Sequence, residues 1–258
     1  MARIMTDGLR ITYVGHATTL VELDGVRLLT DPILRNRVLH LQRRPVDIRT
    51  DWYTDLDAVL ISHLHWDHVD LPSLQRLDPQ TRLIVPEGSA ALFREQGFQV
   101  IEEVQVGQRV HLNGVTIDAV YAEHSGQRVL SGLSADCVGF VVDGSRNIYF
   151  AGDTDLFPEM SQLAVTLDVA LLPVWGWGPT LGTGHLNPYR AALALRLLAP
   201  RVAIPIHWGT LHPIGFHLLR PSFLDEPPHA FARFARQLAP DVDVRIIPPG
   251  EDLTFPAQ

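Results

Sequence analysis

The tightest constraint in this chain of 258 residues is Ser62-His63-Leu64-His65-Trp66-Asp67-His68, which follows directly on the apolar run Ala58-Val59-Leu60-Ile61. Three imidazoles and a carboxylate fall within six residues. On an extended backbone, residues two apart face the same way, so His63 and His65 can grip one ion. A turn after them sends Asp67 and His68 elsewhere, towards a second ion beside the first. Imidazole and carboxylate together suit a borderline divalent cation such as zinc, manganese or iron. The alternative is a histidine-rich surface turn with no metal, but even with 12 histidines in the chain an ordered quartet of this kind rarely arises by chance.

A hydrophobic content of 46% is enough to bury a large core, as one large α/β domain or two small ones. No linker interrupts residues 1–258, so we place no domain boundary. Cys137 is the only cysteine, which excludes a disulfide framework, a zinc ribbon and a Cys-x-x-Cys pair. Beside Val138-Gly139-Phe140 it reads as a small core residue in preference to a nucleophile. Residues 1–8 lack the apolar core of a signal peptide and no apolar run reaches transmembrane length, so the expectation is a soluble, cytoplasmic protein with no membrane span. A net charge of −8 argues against a nucleic-acid partner, which calls for a basic face.

Locally the charge is different. Arg35, Arg37, Arg43, Arg44 and Arg49 crowd into one segment. Two readings stand: a patch for an anionic or phosphate-bearing substrate, or a solvated loop whose arginines pair with Asp47 and Asp51. The chain contains no lysine, which excludes Schiff-base and lysine-nucleophile chemistry.

Asp24-Gly25 between Thr19–Leu23 and Val26–Leu29 is a strong hairpin signal, so the chain opens as antiparallel sheet with Ile11–Val14. Asp31-Pro32 breaks it, and residues 33–55 show neither period and read as a long loop with a short helix; loops of that length are usually functional. Strand then alternates with helix: strand 58–61, helix 72–77, strand 82–85, and helix 89–96 closed by Gly97. A second antiparallel group is expected from 99–102, 109–112 and 116–121, with a hairpin of 138–142 and 147–150 across Asp143-Gly144. A short helix at 158–163 leads to a strand at 168–172. Asn187-Pro188 is an N-cap with proline at the first helical position, opening a helix to Leu198. Strand 201–206, an amphipathic helix 229–238 and a final strand 242–247 complete the pattern. Two similar halves of this kind predict two mixed sheets packed face to face with helices outside.

Nearly every candidate polar residue follows a strand: His63, His124, Asp153 and His207 directly, and His185 in the loop after 169–174. Neighbouring strand ends converge at one edge of a sheet, where α/β proteins commonly bind ligands. His111, His212, His217 and His229 read as ordinary structural histidines. For His124, Asp153 and His207 the upstream quartet decides otherwise, because two metals need about seven protein ligands and the quartet supplies four.

These residues resemble the signature of the metallo-β-lactamase superfamily, His-x-His-x-Asp-His followed by a His, an Asp and a His, each at a strand end. The resemblance implies a four-layer αββα fold, with His63, His65 and His124 on one metal, Asp67, His68 and His207 on the other, and Asp153 bridging. Within the superfamily the likeness is greatest to N-acyl-phosphatidylethanolamine phospholipase D and its bacterial relatives. It rests on Tyr13-Val14-Gly15-His16-Ala17-Thr18, Leu29-Thr30-Asp31-Pro32-Ile33, His185-Leu186-Asn187-Pro188 and Ala203-Ile204-Pro205-Ile206-His207-Trp208-Gly209-Thr210. By that likeness His185 lies beside the metals and assists catalysis. His16 and Asp31 are candidates to orient a ligand or the substrate, and Trp175, Trp177 and Trp208 either line an apolar pocket or pack the loops.

The expected chemistry is hydrolysis. Two divalent ions, with zinc favoured over manganese or iron, share a water and lower its pKa towards about 7. The resulting hydroxide attacks a phosphorus or carbonyl centre, Asp67 and His185 acting beside it. A small or lipid-like anionic phosphodiester is the favoured substrate, with a lactone or ester as the alternative. A nuclease lacks its basic channel here, and a non-catalytic metal-binding protein on this fold is expected to have lost a ligand.

Overall fold

The computed structural model describes residues 8–44, 46–125, 134–163, 166–216 and 222–257. His217 and residues 1–7 therefore lie outside the described residues. In chain order the first half contains strands β1 (Gly8–Gly15), β2 (Thr18–Leu23), β3 (Val26–Thr30), β4 (Arg37–Val38), β5 (Leu41–Arg43) and β6 (Ala58–Leu60). Helix α1 (Leu71–Leu74), strand β7 (Arg82–Pro86), helix α2 (Ala90–Glu95) and strand β8 (Ile101–Val104) follow. The second half runs β9 (Arg109–Leu112), β10 (Val115–Tyr121), β11 (Val138–Asp143), β12 (Asn147–Phe150), β13 (Val169–Pro173), α3 (Pro188–Leu198) and β14 (Val202–Ile206). It closes with β15 (Leu211–Pro213), α4 (Glu226–Leu238), β16 (Asp243–Val244) and β17 (Asp252–Pro256).

Two seven-stranded sheets form, in the orders β17-β1-β2-β3-β6-β7-β8 and β16-β14-β13-β12-β11-β10-β9. Each is mixed: hairpin-linked strands pair antiparallel, and strands joined through longer crossovers pair parallel. The strand period of two explains the layering. Along the stretch from Ala58 to Ile61, Ala58 and Leu60 enter the core shared with Phe140 and Tyr149 of the second sheet. Val59 and Ile61 face the core that holds Leu74 of α1 and Phe93 of α2. On the far side α3 and α4 pack on the second sheet. The αββα sandwich expected from the resemblance is thus present, with its parallel centre buried on both faces. All five residues of β13 are buried, each large apolar one stabilising the fold by about 1.5–3 kcal/mol relative to exposure.

Several elements differ from expectation. Segment 33–55 is not a bare loop with a helix: it holds β4 and β5, which pair with each other while β5 pairs with β15 to make a small third sheet, and a 3-10 turn at Thr50–Trp52. The long sequence distance between β5 and β15 hid that pairing. β8 joins β7 in parallel, Leu83 opposite Ile101, and not the antiparallel group after it, because α2 supplies the crossover. Only Asp243–Val244 of the expected last strand pairs, against β14; Pro248-Pro249 ends the extended run. The true last strand is β17, an edge strand paired with β1 and half-exposed throughout, so its apolar signal is weak. The helix at 158–162 is a 3-10 turn.

Helix α3 starts as its sequence dictates, with the Asn187 side chain accepting from the Arg190 amide at 2.9 Å and Pro188 at the first position. Among the described residues no helix is long and apolar enough to cross a membrane.

Candidate metal centre

Parallel strands β3, β6 and β7 of one sheet, and β12, β13 and β14 of the other, end at a common edge, where the chemistry collects. His63 and His65 follow β6, after which the chain turns, with the amides of His68 and Val69 both donating to the His65 carbonyl. That turn separates Asp67 and His68 from the first two histidines. His124 follows β10, Asp153 follows β12 and His207 follows β14, while His185 sits just before α3. Gly152 lets the Asp153 loop approach the His63 loop: its φ is +61°, and a Cβ there would lie 2.6 Å from the Ser62 Cβ.

The side chains fall into two clusters with Asp153 between them. His63, His65 and His124 form one, with ring centroids 4.5–4.9 Å apart. Asp67, His68 and His207 form the other, joined by His16. Asp153 Oδ2 lies 3.2 Å from His68 Nε2 and 3.4 Å from His185 Nε2, and its Oδ1 lies 3.2 Å from His207 Nε2. All ten expected site residues, His16 and Asp31 included, are brought within this one constellation, and His111, His212 and His229 stay outside its clusters.

Hydrogen bonds on the outer side of the rings decide which nitrogens face inward. Asp31 accepts from the Ser62 amide at 2.8 Å, from Ser62 Oγ at 2.6 Å and from His68 Nδ1 at 2.7 Å. A carboxylate only accepts, so Nδ1 of His68 carries a proton and its Nε2 points into the cluster. Ser62 donates its hydroxyl proton to Asp31, so its oxygen takes the Nδ1 proton of His63 at 3.0 Å. Nε2 of His63 is left buried with no hydrogen-bond partner. His124 and His207 likewise donate Nδ1 protons to the carbonyls of Gly184 and Trp175, at 2.7 and 2.9 Å. His65 alone turns Nδ1 inward, 3.2 Å from His124 Nε2.

This donor set fits divalent ions. Nε2 of His68 and Nε2 of His207 face each other at 3.1 Å, two lone pairs that repel unless a proton or a metal ion lies between them. Burial drives the pKa of His63 well down, and that of His207 to about 3, so both are neutral, as ligation requires. Burial also lowers His65 and His124. Asp67 and Asp153 are raised by burial, but the His16 hydrogen bond to Asp67 and the imidazoles of His207 and His68 packed against Asp153 outweigh this, holding both carboxyls well below their usual range. For His68, burial is overcome by the Asp153 and Asp31 carboxylates, which raise it well above the ordinary imidazole value.

A pocket of about 380 Å³ opens onto Asp67, Asp153, His65, His185 and His207. Val38, Leu39, His40 and Leu41 form one wall, around the β4–β5 turn, and Trp177, Thr180 and Leu181 the other, with His40 edge-on to Trp177 at 5.1 Å. His40 and Leu181 escaped the sequence reading because no periodicity or motif marks them. Of Trp175, Trp177 and Trp208 only Trp177 lines the pocket, where Trp66 also stands. Trp208 packs on Tyr13, and Trp175 donates to the Gly178 carbonyl within its own loop.

The arginine patch does not form. Arg43 is 2% exposed, and its guanidinium donates to the carbonyls of Ile33, at 3.0 Å, and Val14. Burial lowers its pKa to about 10. Arg35 grips Asp70 with two bonds of 2.6 Å, Arg44 pairs with Asp225 and Arg49 with Asp51. Arg37 donates to the Leu39 carbonyl. Each guanidinium has a protein partner in a different direction, and among the described residues none lines the pocket. Cys137 is buried, which pushes its thiol up to about 12 and removes it as a nucleophile.

A family model described as the β-lactamase superfamily domain matches residues 26–208. A UPF0173 metal-dependent hydrolase of Methanopyrus kandleri is 35% identical over 94% of this chain and 98% of its own length. The N-acyl-phosphatidylethanolamine-hydrolyzing phospholipase D 1 of Caenorhabditis elegans is 33% identical over 81% of this chain, which spans 65% of that relative's length. Among solved structures, Igni18, a metallo hydrolase from Ignicoccus hospitalis, superposes with a TM-score of 0.72 at 26% identity, covering 96% of this chain and 98% of its own. Sheet order, clustered histidines and these similarities agree: the chain belongs to the metallo-β-lactamase superfamily, among its metal-dependent hydrolases.

Proposed function

We propose that the protein is a dinuclear hydrolase. His63, His65 and His124 hold one divalent ion, Asp67, His68 and His207 hold the other, and Asp153 bridges them. The observation that carries this reading is the convergence of inward-facing imidazole nitrogens on Asp153 at the floor of the pocket, with the His63 Nε2 buried and unpartnered. Imidazole and carboxylate donors favour zinc, with manganese or iron also compatible. Ions held there supply an activated water and polarise the substrate oxygen.

The remaining work belongs to the chain's own groups. His185 lies on the pocket wall with Nε2 turned to Asp153 and Nδ1 held by the Thr183 carbonyl at 3.0 Å, so its inner N–H can protonate a leaving oxygen. Asp31 orients His68 directly and His63 through Ser62. Val38, Leu39 and Leu41 on one wall and Trp177 and Leu181 on the other exclude water from the substrate.

The substrate class we propose is a phosphodiester bearing an apolar substituent. Two dications outweigh the carboxylates of Asp67 and Asp153, which leaves a centre suited to a single negative charge, and a relative at 33% identity is named for hydrolysing a phospholipid. A second reading, a neutral ester or lactone, is favoured by the absence of arginine from the described pocket lining. At about 380 Å³ the pocket is at the low end of small-molecule sites, roughly 300–1,000 Å³, and admits one apolar group of modest size. The test is turnover by the purified, metal-analysed protein of paired phosphodiester, ester and lactone substrates carrying the same apolar group. Turnover of lactones without phosphodiesters would overturn the first reading in favour of the second.

A further inference from the structure

His16 is fully buried beside the second cluster, and the ligand set proposed above gives it no part. Its backbone is left-handed, φ +60°, an unusual conformation for a residue with a Cβ. Two hydrogen bonds hold it there. The His16 amide donates to Thr210 Oγ1 at 2.9 Å, and the His16 carbonyl accepts from the His207 amide at 2.8 Å. His207 is left-handed too, φ +62°. These bonds tie the end of β1 in one sheet to the end of β14 in the other, directly over the site. Gly15 permits the approach, since a Cβ there would lie 2.7 Å from Thr210 Oγ1.

The ring of His16 lies with its centroid 3.8 Å from that of His207, and its Nε2 is 2.9 Å from Asp67 Oδ2. A carboxylate only accepts, so Nε2 carries the proton and is not free to bind a metal while that bond stands. One residue therefore touches two of the three side chains proposed for the second ion, one through its ring face and backbone carbonyl, the other through its ring edge. Neither contact reaches His63, His65 or His124.

We propose that His16 is the positioning residue of the second metal ion, fixing the Asp67 carboxylate through Nε2–H and backing the His207 ring, so that it sets affinity at that ion and not at the first. The inference rests on the two-ion reading. Asp67 sits on a turn and is the only carboxylate unique to the second ion, and His16 at 2.9 Å is nearer to it than His68 Nε2 at 3.9 Å or His207 Nε2 at 3.7 Å.

Two substitutions separate the donor from the ring. His16→Phe keeps a ring against His207 and removes the N–H; His16→Gln keeps an amide donor at similar reach and removes the ring. Each protein is stripped, titrated with Zn²⁺ against a chromophoric chelator and with Co²⁺ by visible spectroscopy, and its metal-free melting temperature serves as the control for folding. The expected result is that His16→Phe weakens the second ion by about 10–100-fold, the usual scale for an outer partner of a ligand, and leaves the first unchanged, while His16→Gln stays close to the parent. Parental affinity at both ions in His16→Phe would reduce His16 to packing and overturn the proposal. Equal loss in both variants, with an altered Co²⁺ spectrum, would make His16 a ligand and overturn it as well. A parent protein that binds no second ion would instead remove the two-ion reading itself, and this proposal with it.

Discussion

His185 Nε2 stands 3.4 Å from Asp153 Oδ2, the carboxylate we propose as the bridge between the two donor clusters. Burial lowers the pKa of His185, but the hydrogen bond to Asp153 more than reverses this and raises it to about 9. The same ring lines the pocket and meets the edge of His124, and these two with Asp153 also lie close enough together to form a group of possible donors. Under the proposed ligand set, which leaves His185 out, this ring acts on substrate and not on metal.

His185→Ala is expected to retain the parent's metal content and to lose roughly 10²-fold or more in kcat, the scale of general acid–base assistance. Elemental analysis alongside turnover decides this. Loss of metal together with activity would make His185 a ligand.

Asp153→Ala is expected to be the most damaging single change at the site, because one carboxylate faces His68, His207 and His185 together. The variant should bind fewer than the two ions per chain expected of the parent, and its melting temperature should rise less on adding zinc, since ligand binding stabilises by mass action. A variant that keeps both ions and full turnover would remove Asp153 as the bridge.

Charge reversal at the arginines should divide sharply by position. Arg43→Glu places a carboxylate against the carbonyls of Ile33 and Val14 in a site 2% exposed, so a loss of several kcal/mol or failure to fold is expected. Arg44→Glu breaks only an exposed pair with Asp225 and should cost about 0–1 kcal/mol. Urea denaturation reads both; equal costs would contradict the difference in burial.

Trp177→Ala removes an indole from the pocket wall. KM for a substrate with an apolar substituent should rise by about 10-fold, equivalent to about 1.4 kcal/mol of lost contact, with little change for a homologue lacking that substituent. An equal effect on both substrates would place the apolar group elsewhere.

The sequence alone determined the alternation of strand and helix, the hairpin at Asp24-Gly25, the cap of α3 at Asn187-Pro188 and the position of every candidate ligand after a strand. Those features are written in local chemistry: side-chain period, turn residues, and histidines spaced to face one way. Only the tertiary structure decided what depends on residues distant in sequence. The pairing of β5 with β15 turned an apparent loop into a pocket wall, and β17 found its partner at the other end of the chain. An arginine cluster dense in sequence dispersed, because Arg43 had buried carbonyls to satisfy, Arg35 the buried Asp70, and Arg44 and Arg49 carboxylates outside. Asp31, which a strand-ending turn explained equally well, became the acceptor that orients His68 and, through Ser62, His63. Such outcomes follow from which buried polar group meets which partner, and a linear pattern holds no record of those meetings.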